Sequence, residues 1–307
     1  MSEDSDSPLQ IEGFRFIRRI GGGGMGEVYL ARESDEGHLV AVKILSLVSP
    51  DDDAIFERFF REAIIASRLR HPNIVRVYEL GEVADRYFIS MEFVNGPSLR
   101  NRLMAGALPF SLATSMFYPI LEAMESAHVQ GIVHCDIKPG NILLAGGSFP
   151  KVSDLGIAHT RGPIHGDSPL PVSARATPYY VAPEQCARDA EVDHRADIYS
   201  LGATFYHMLC GRPPFTGKTP LECVEHHQST PAPDPRQFQP SLSKGLAEVV
   251  LRMLAKAPGE RYQRCADIVE GLRGCGALDA VTVLEPPMIP HKTEAALEET
   301  TTKLPPV

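Results

Sequence analysis

The chemistry-bearing residues concentrate in His134-Cys135-Asp136-Ile137-Lys138-Pro139-Gly140-Asn141, which sets a carboxylate, an ammonium group and a carboxamide close together. Further on come Asp154-Leu155-Gly156 and Ala182-Pro183-Glu184. Taken singly, Asp136 and Asn141 also read as turn residues beside Pro139, and Asp154 with Gly156 as another turn. Near the start, Gly21-x-Gly23-x-x-Gly26-x-Val28 lies between two strand-like segments, within the run Gly21, Gly22, Gly23, Gly24. Glycine lets backbone N–H groups approach phosphate oxygens with no Cβ in the way, although the same residues also make a flexible hairpin. The motif is followed by a strand rather than a helix, which disfavours a dinucleotide-binding turn. Lys43 sits in the apolar run Val40-Ala41-Val42-Lys43-Ile44-Leu45, where burial without a partner is costly and a solvated edge is harmless. Glu62 shares a helical face with Ile55, Phe59, Ala66 and Leu69, so it is a carboxylate in an apolar stripe that needs a cation. Lys43 is the candidate partner.

Positioning these residues requires two kinds of structure. Phe14 to Ile89 reads as strand-turn-strand, a third strand, a helix and two more strands. Val28-Tyr29-Leu30 and Leu39 to Ile44 are strand runs, and Asp35-Glu36-Gly37 between them signals a hairpin. A helix is expected over Ala54 to Leu69, after the acidic Asp51, Asp52 and Asp53 and before Pro72. Past Gly96 the pattern turns helical, with helices expected over Leu112 to Val129, Asp197 to Cys210, Leu221 to Gln228 and Leu246 to Leu254. Ile142-Leu143-Leu144 is a short strand run. Asp154 to Glu191 is polar and aperiodic, and a stretch that long inside a domain is usually functional or disordered.

The chain has 307 residues, with 30 basic and 39 acidic side chains and a net charge of −9. Apolar residues make up 43% and charged residues 22%, ordinary globular usage that excludes collagenous, wholly disordered and integral membrane proteins. Charge breaks every apolar stretch well short of the ~20 residues a membrane-spanning helix needs, and no signal segment opens the chain. The negative balance argues against sequence-blind nucleic-acid binding. Six cysteines without a C-x-x-C pair fit free thiols in a reducing cytoplasm. His207-x-x-Cys210 with Cys223-x-x-His226 mimics zinc-ligand spacing, but helix periodicity explains the first pair, and free thiols are the preferred reading.

The ordered set of glycine loop, V-A-V-K, H-x-D-x-K-P-x-N, D-x-G and A-P-E resembles the eukaryotic-type (Hanks-type) protein kinases, most closely the bacterial serine/threonine kinases, over residues 14 to 272. The resemblance implies an α+β, two-lobed protein kinase fold. It has a β-rich small lobe with one main helix over residues 11–93 and a larger, mostly helical lobe over 94–275. A disordered 1–10 and a Pro/Thr-rich tail or linker over 276–307 flank it. ATP and magnesium would bind between the lobes. Gly21, Gly23 and Gly26 would cover the phosphates, and Ile20, Gly22, Gly24 and Met25 would also belong to the nucleotide site. Lys43, paired with Glu62, would hold the α- and β-phosphates. Val28 and Ala41 would pack on the adenine, Met91 would stand as gatekeeper, and the Glu92 carbonyl and Val94 amide would bond its edge. Asp136 would accept the substrate hydroxyl proton and Lys138 would stabilise the γ-phosphoryl group. Asn141 and Asp154 would hold magnesium. Arg261 would pair with Glu184, Asp197 would brace the catalytic loop, and His134 would be structural.

Two departures from the family pattern stand out: Cys135 replaces the usual arginine before Asp136, and Leu155 replaces a phenylalanine. Thr160, Ser168, Ser173 and Thr177 are candidate phosphorylation sites. The resemblance implies in-line transfer of the ATP γ-phosphoryl group to serine or threonine of protein substrates, with self-association for autophosphorylation. The competing readings are a non-catalytic ATP-binding pseudokinase or scaffold, against which the full set of catalytic residues argues, and a small-molecule kinase, against which the A-P-E element argues.

Overall fold

The computed structural model describes residues 10–23, 26–34, 37–45, 67–83, 86–155, 178–187, 190–279 and 281–287. The chain divides into two units, one running to Arg70 and including Val75–Val94, the other comprising His71–Ile74 and Asn95–Pro287.

The first unit is an antiparallel sheet of β1 (Phe14–Gly23), β2 (Gly26–Glu33), β3 (Leu39–Leu45), β4 (Val77–Val83) and β5 (Arg86–Glu92), in the order β1-β2-β3-β5-β4. Gly37, at φ 70°, donates its N–H to Glu33 and helps close the β2–β3 hairpin. Register then assigns the faces. Val28 lies opposite Lys43 and Leu30 opposite Ala41, whereas Tyr29 opposes Val42 and Ala31 opposes Val40. Because directly opposed residues share a face, Lys43 and Ala41 stand with Val28, and the other face carries the core. That core joins Ile11, Tyr29, Ala31, Val40, Val42, Ile44, Tyr78 and Phe88. Most of the expected helix, residues 54–66 with Glu62, lies outside the described residues.

The second unit is mostly helical: α1 (Leu99–Leu103), α2 (Phe110–Val129), α3 (His194–Cys210), α4 (Pro220–Ser229), α5 (Lys244–Met253) and α6 (Cys265–Gly274). A hairpin of β6 (Ile142–Ala145) and β7 (Phe149–Val152) follows α2. Asn73 ties β7 in place, accepting the Val152 N–H at 2.8 Å and donating its side chain to the Pro150 carbonyl at 2.8 Å. Helix α3 is buried on nearly every side and stacks Phe205 on Phe117 of α2 at 4.0 Å. Several helices start earlier than their apolar pattern, because a polar cap sets the start. Asp193 accepts the Arg195 N–H before α3, Thr219 that of Glu222 in α4, and Ser243 that of Leu246 in α5. Gly211, at φ 70°, ends α3 as its left-handed cap. The short helix α1, the short strand β7 and helix α6 are elements that the sequence pattern did not single out. Within the stretch expected as tail, Ala277 is buried and the Thr282 N–H donates to Ser115 Oγ of α2 at 2.8 Å.

Candidate active site

The segment between α2 and β6 folds into a loop closed by a 3₁₀ turn at Pro139–Asn141. It gathers two polar side chains onto one carboxylate. Lys138 Nζ donates to Asp136 Oδ2 at 2.8 Å, and Asn141 Nδ2 donates to the same oxygen at 3.1 Å and to the Asp136 carbonyl at 2.9 Å. Both amide protons of Asn141 are thereby turned inward, so its carbonyl oxygen is the atom left to face a cation. The Asn141 carbonyl accepts the Ser153 N–H at 2.9 Å, which sets the next residue, Asp154, beside the loop at φ 60°.

This geometry is held from behind. Asp197 of α3 is fully buried and accepts the His134 N–H on one oxygen and the Cys135 N–H on the other, each at 2.8 Å. His128 of α2 reaches Asp197 Oδ2 at 2.9 Å. Burial alone would raise this carboxyl's pKa. The hydrogen bond and charge of His128, then the contributions of His134, outweigh burial and hold it below its ordinary value. His134 Nε2 reaches the Ser153 carbonyl at 2.9 Å while its Nδ1 accepts the Asp136 N–H at 3.3 Å, which fixes the Nε2–H tautomer. The buried imidazole is therefore a strut between the loop and β7's end. Cys135 takes φ 62°, an uncommon conformation for a residue with a side chain. Its carbonyl accepts from Gln185 Nε2 at 2.7 Å. Asp136, Ile137, Lys138, Tyr180, Val181 and Gln185 border one recess here.

In the first unit, Gly21, Gly22 and Gly23 end β1 and face Val28, Glu27 and Gly26 across the hairpin. Gly26, at φ 137°, has no room for a side chain, since a Cβ would stand 2.0 Å from the Ile44 carbonyl oxygen. Ile20 is half-buried on β1. Lys43 and Ala41 are buried on β3, and Met91 opposes Ala41 from β5. Glu92 and Val94 are buried at the end of β5 and just past it, and the Glu92 carboxylate accepts the Arg76 N–H at 3.3 Å. Gly24, Met25 and Glu62 lie outside the described residues, and so does the expected Lys43–Glu62 pair.

A protein kinase domain model matches residues 14–270. The chain belongs to the protein kinase family. It is 38% identical over 259 residues to the serine/threonine-protein kinase PrkC of Bacillus subtilis, covering 83% of this chain and 39% of that protein. With PknF of Mycobacterium tuberculosis it shares 36% over 309 residues, 96% of this chain and 64% of PknF. The kinase thus spans less than two thirds of the length of these relatives. Among solved structures, the Mycobacterium tuberculosis PknI kinase domain superposes with a TM-score of 0.69 at 30% identity, covering 87% of this chain and 97% of that one. The fold is the two-lobed kinase fold, and the domain is a serine/threonine protein kinase domain of the bacterial kind.

In the kinase, the A-P-E glutamate has a complete partner. Arg261 donates to both Glu184 oxygens, at 2.6 and 2.8 Å, and its remaining N–H groups reach the carbonyls of Ala255, Arg195 and Lys256. Leu155 is buried, as expected of an apolar replacement. The zinc-like quartet does not converge on a common point. His207 bonds Tyr180, Cys210 the Pro235 carbonyl, Cys223 the Phe215 carbonyl and His226 Thr230. The cysteines are free thiols. Thr160, Ser168, Ser173 and Thr177 lie outside the described residues. Sequence reasoning missed His128, Ser153 and Gln185, whose roles arise from partners 12 to 69 positions away. No local pattern signals such contacts.

Proposed function

We propose that the kinase transfers the γ-phosphoryl group of ATP to serine and threonine hydroxyls of proteins, with Asp136 as the base. The observation that carries this reading is the convergence of Lys138 and Asn141 on one Asp136 oxygen. Two donors on Oδ2 orient Oδ1 toward an incoming hydroxyl, whose proton Asp136 takes as the oxygen attacks phosphorus. Lys138 then carries positive charge to the edge of the transferring group, where negative charge spreads over the phosphoryl oxygens. The Asn141 side-chain Oδ1 and the Asp154 carboxylate are hard oxygen donors of the kind magnesium selects. The metal, when bound, would neutralise phosphate charge. Gly21 to Gly26, Val28, Ala41, Lys43 with Glu62, Glu92 and Val94 serve the nucleotide, as the family pattern implies. Lys43 shares its sheet face with Val28 and Ala41, which suits this assignment. Autophosphorylation between two copies is part of the proposal. Among the described residues no helix is long and apolar enough to cross a membrane. The free cysteines suit a reducing, cytoplasmic setting.

The test is transfer from radiolabelled ATP with magnesium to the chain itself and to a generic basic protein. Asp136→Asn should lower the rate by ~10²–10⁴-fold, the usual contribution of a positioned base, with nucleotide binding retained. Unchanged turnover refutes the assignment.

A further inference from the structure

Gln185, the residue after the A-P-E glutamate, joins two backbone segments through one carboxamide. Its Oε1 accepts the Ala182 N–H at 3.0 Å and its Nε2 donates to the Cys135 carbonyl at 2.7 Å. The orientation is determined, since the flipped amide would oppose oxygen to oxygen and N–H to N–H. Cys135 is the point of strain in the catalytic loop, at φ 62°, a region costly to any residue with a Cβ. Its N–H is held by Asp197 Oδ1 at 2.8 Å, so Asp197 pins one side of the strained residue and Gln185 the other. The carbonyl that Gln185 holds belongs to the peptide whose nitrogen is that of Asp136. A rotation of that peptide would swing the Asp136 carboxylate away from Lys138 and Asn141.

We propose that Gln185 is a positioning residue for phosphoryl transfer, acting through the Cys135–Asp136 peptide. It also ties that peptide to Ala182, the neighbour of Val181 at the recess beside Asp136. One side chain therefore sets the spacing between the base and the backbone bordering the site where an acceptor segment must arrive. The proposal rests on the role of Asp136 given above.

Gln185→Glu keeps shape and volume but at neutral pH opposes a carboxylate oxygen to the Cys135 carbonyl. Protonation restores a donor there, and the other oxygen still accepts from Ala182. A carboxyl titrates near 4.3 in water and higher when buried against a carbonyl, so the change falls within reach of a kinase assay. The groups around position 185 are Asp136 and Lys138 at the recess, Asp197 behind Cys135, and the Glu184–Arg261 pair. All are common to variant and parent, so the ratio of their rates isolates residue 185.

The expected result is a loss in kcat of about tenfold for Gln185→Glu near pH 8, a fair loss for one buried hydrogen bond. The KM for ATP stays near that of the parent, and the deficit shrinks as pH is lowered. Gln185→Met, which fills the space without hydrogen bonding, should lose kcat equally at every pH. An unchanged kcat in both variants, or a deficit in Gln185→Glu that is flat with pH, overturns the proposal. If Gln185→Glu does not fold, Gln185→Met decides: a fall in kcat at constant KM for ATP supports the idea, and parental kcat overturns it. An Asp136→Asn enzyme with parental turnover would instead refute the base assignment itself, so the two failures are distinguishable.

Discussion

Removing the guanidinium of Arg261 should be among the most damaging single changes outside the catalytic loop. All five of its N–H donors are used, two on the Glu184 carboxylate and three on backbone carbonyls. The group also lies 4.9 Å over the Tyr199 ring. The Arg261 side chain is fully buried and that of Glu184 is 7% exposed, so solvent cannot replace the lost partner. Arg261→Ala leaves an uncompensated buried carboxylate, a situation that costs ~3–5 kcal/mol. At ~2–4 °C of melting temperature per kcal/mol for a domain of this size, the expected fall is about 6–20 °C. Arg261→Lys keeps the charge but offers three donors without the planar fork, so its loss should be smaller yet clear. Replacing both residues, Glu184→Gln with Arg261→Met, should cost less than the two single losses added, because the pair's members answer each other. Thermal unfolding followed by circular dichroism, on the parent, Arg261→Ala, Arg261→Lys, the double variant and its two single components, makes the measurement. A shift within about 2 °C for Arg261→Ala, far below the cost of an orphaned buried charge, refutes the reasoning.

Two further outcomes follow from the loop's supports. A carboxyl whose folded pKa is depressed, as that of Asp197 is, contributes stability present above its unfolded value and lost as pH falls through the folded one. Melting temperatures of the parent and Asp197→Asn should therefore converge below about pH 4, the unfolded carboxyl range, whereas parallel curves refute the coupling. At Cys135, where the family pattern has arginine, a thiol cannot make the bidentate contact by which a guanidinium holds a phosphate. Phosphatase-treated and untreated kinase should show near-equal initial rates, and a large drop on dephosphorylation refutes that expectation.

The sequence by itself determined the family and most of the chemistry. Phosphoryl transfer constrains residue type at fixed spacing, and Asp136, Lys138 and Asn141 fall within one loop whose turn is built locally around Pro139. The five strands and the main bodies of α2 to α5 were legible for a related reason, since apolar periodicity records which face is buried. The helix starts were not, because a cap is a single hydrogen bond from a polar residue lying outside the apolar pattern. The elements α1 and β7, five and four residues long, escaped as well, being too short for periodicity to declare itself, and α6 was not singled out although it is as long as α4 and α5. The family pattern pointed to Asp197 as the brace behind Asp136, and tertiary structure alone decided what else holds that residue in place. Ser153 and Gln185 reach the loop through bonds to backbone carbonyls that any residue would offer, and His128 reaches it only through the carboxylate of Asp197. A backbone carbonyl leaves no trace in the sequence of the partner it will find, and the strain at Cys135 exists only once Asp197 and Gln185 have closed on either side of it.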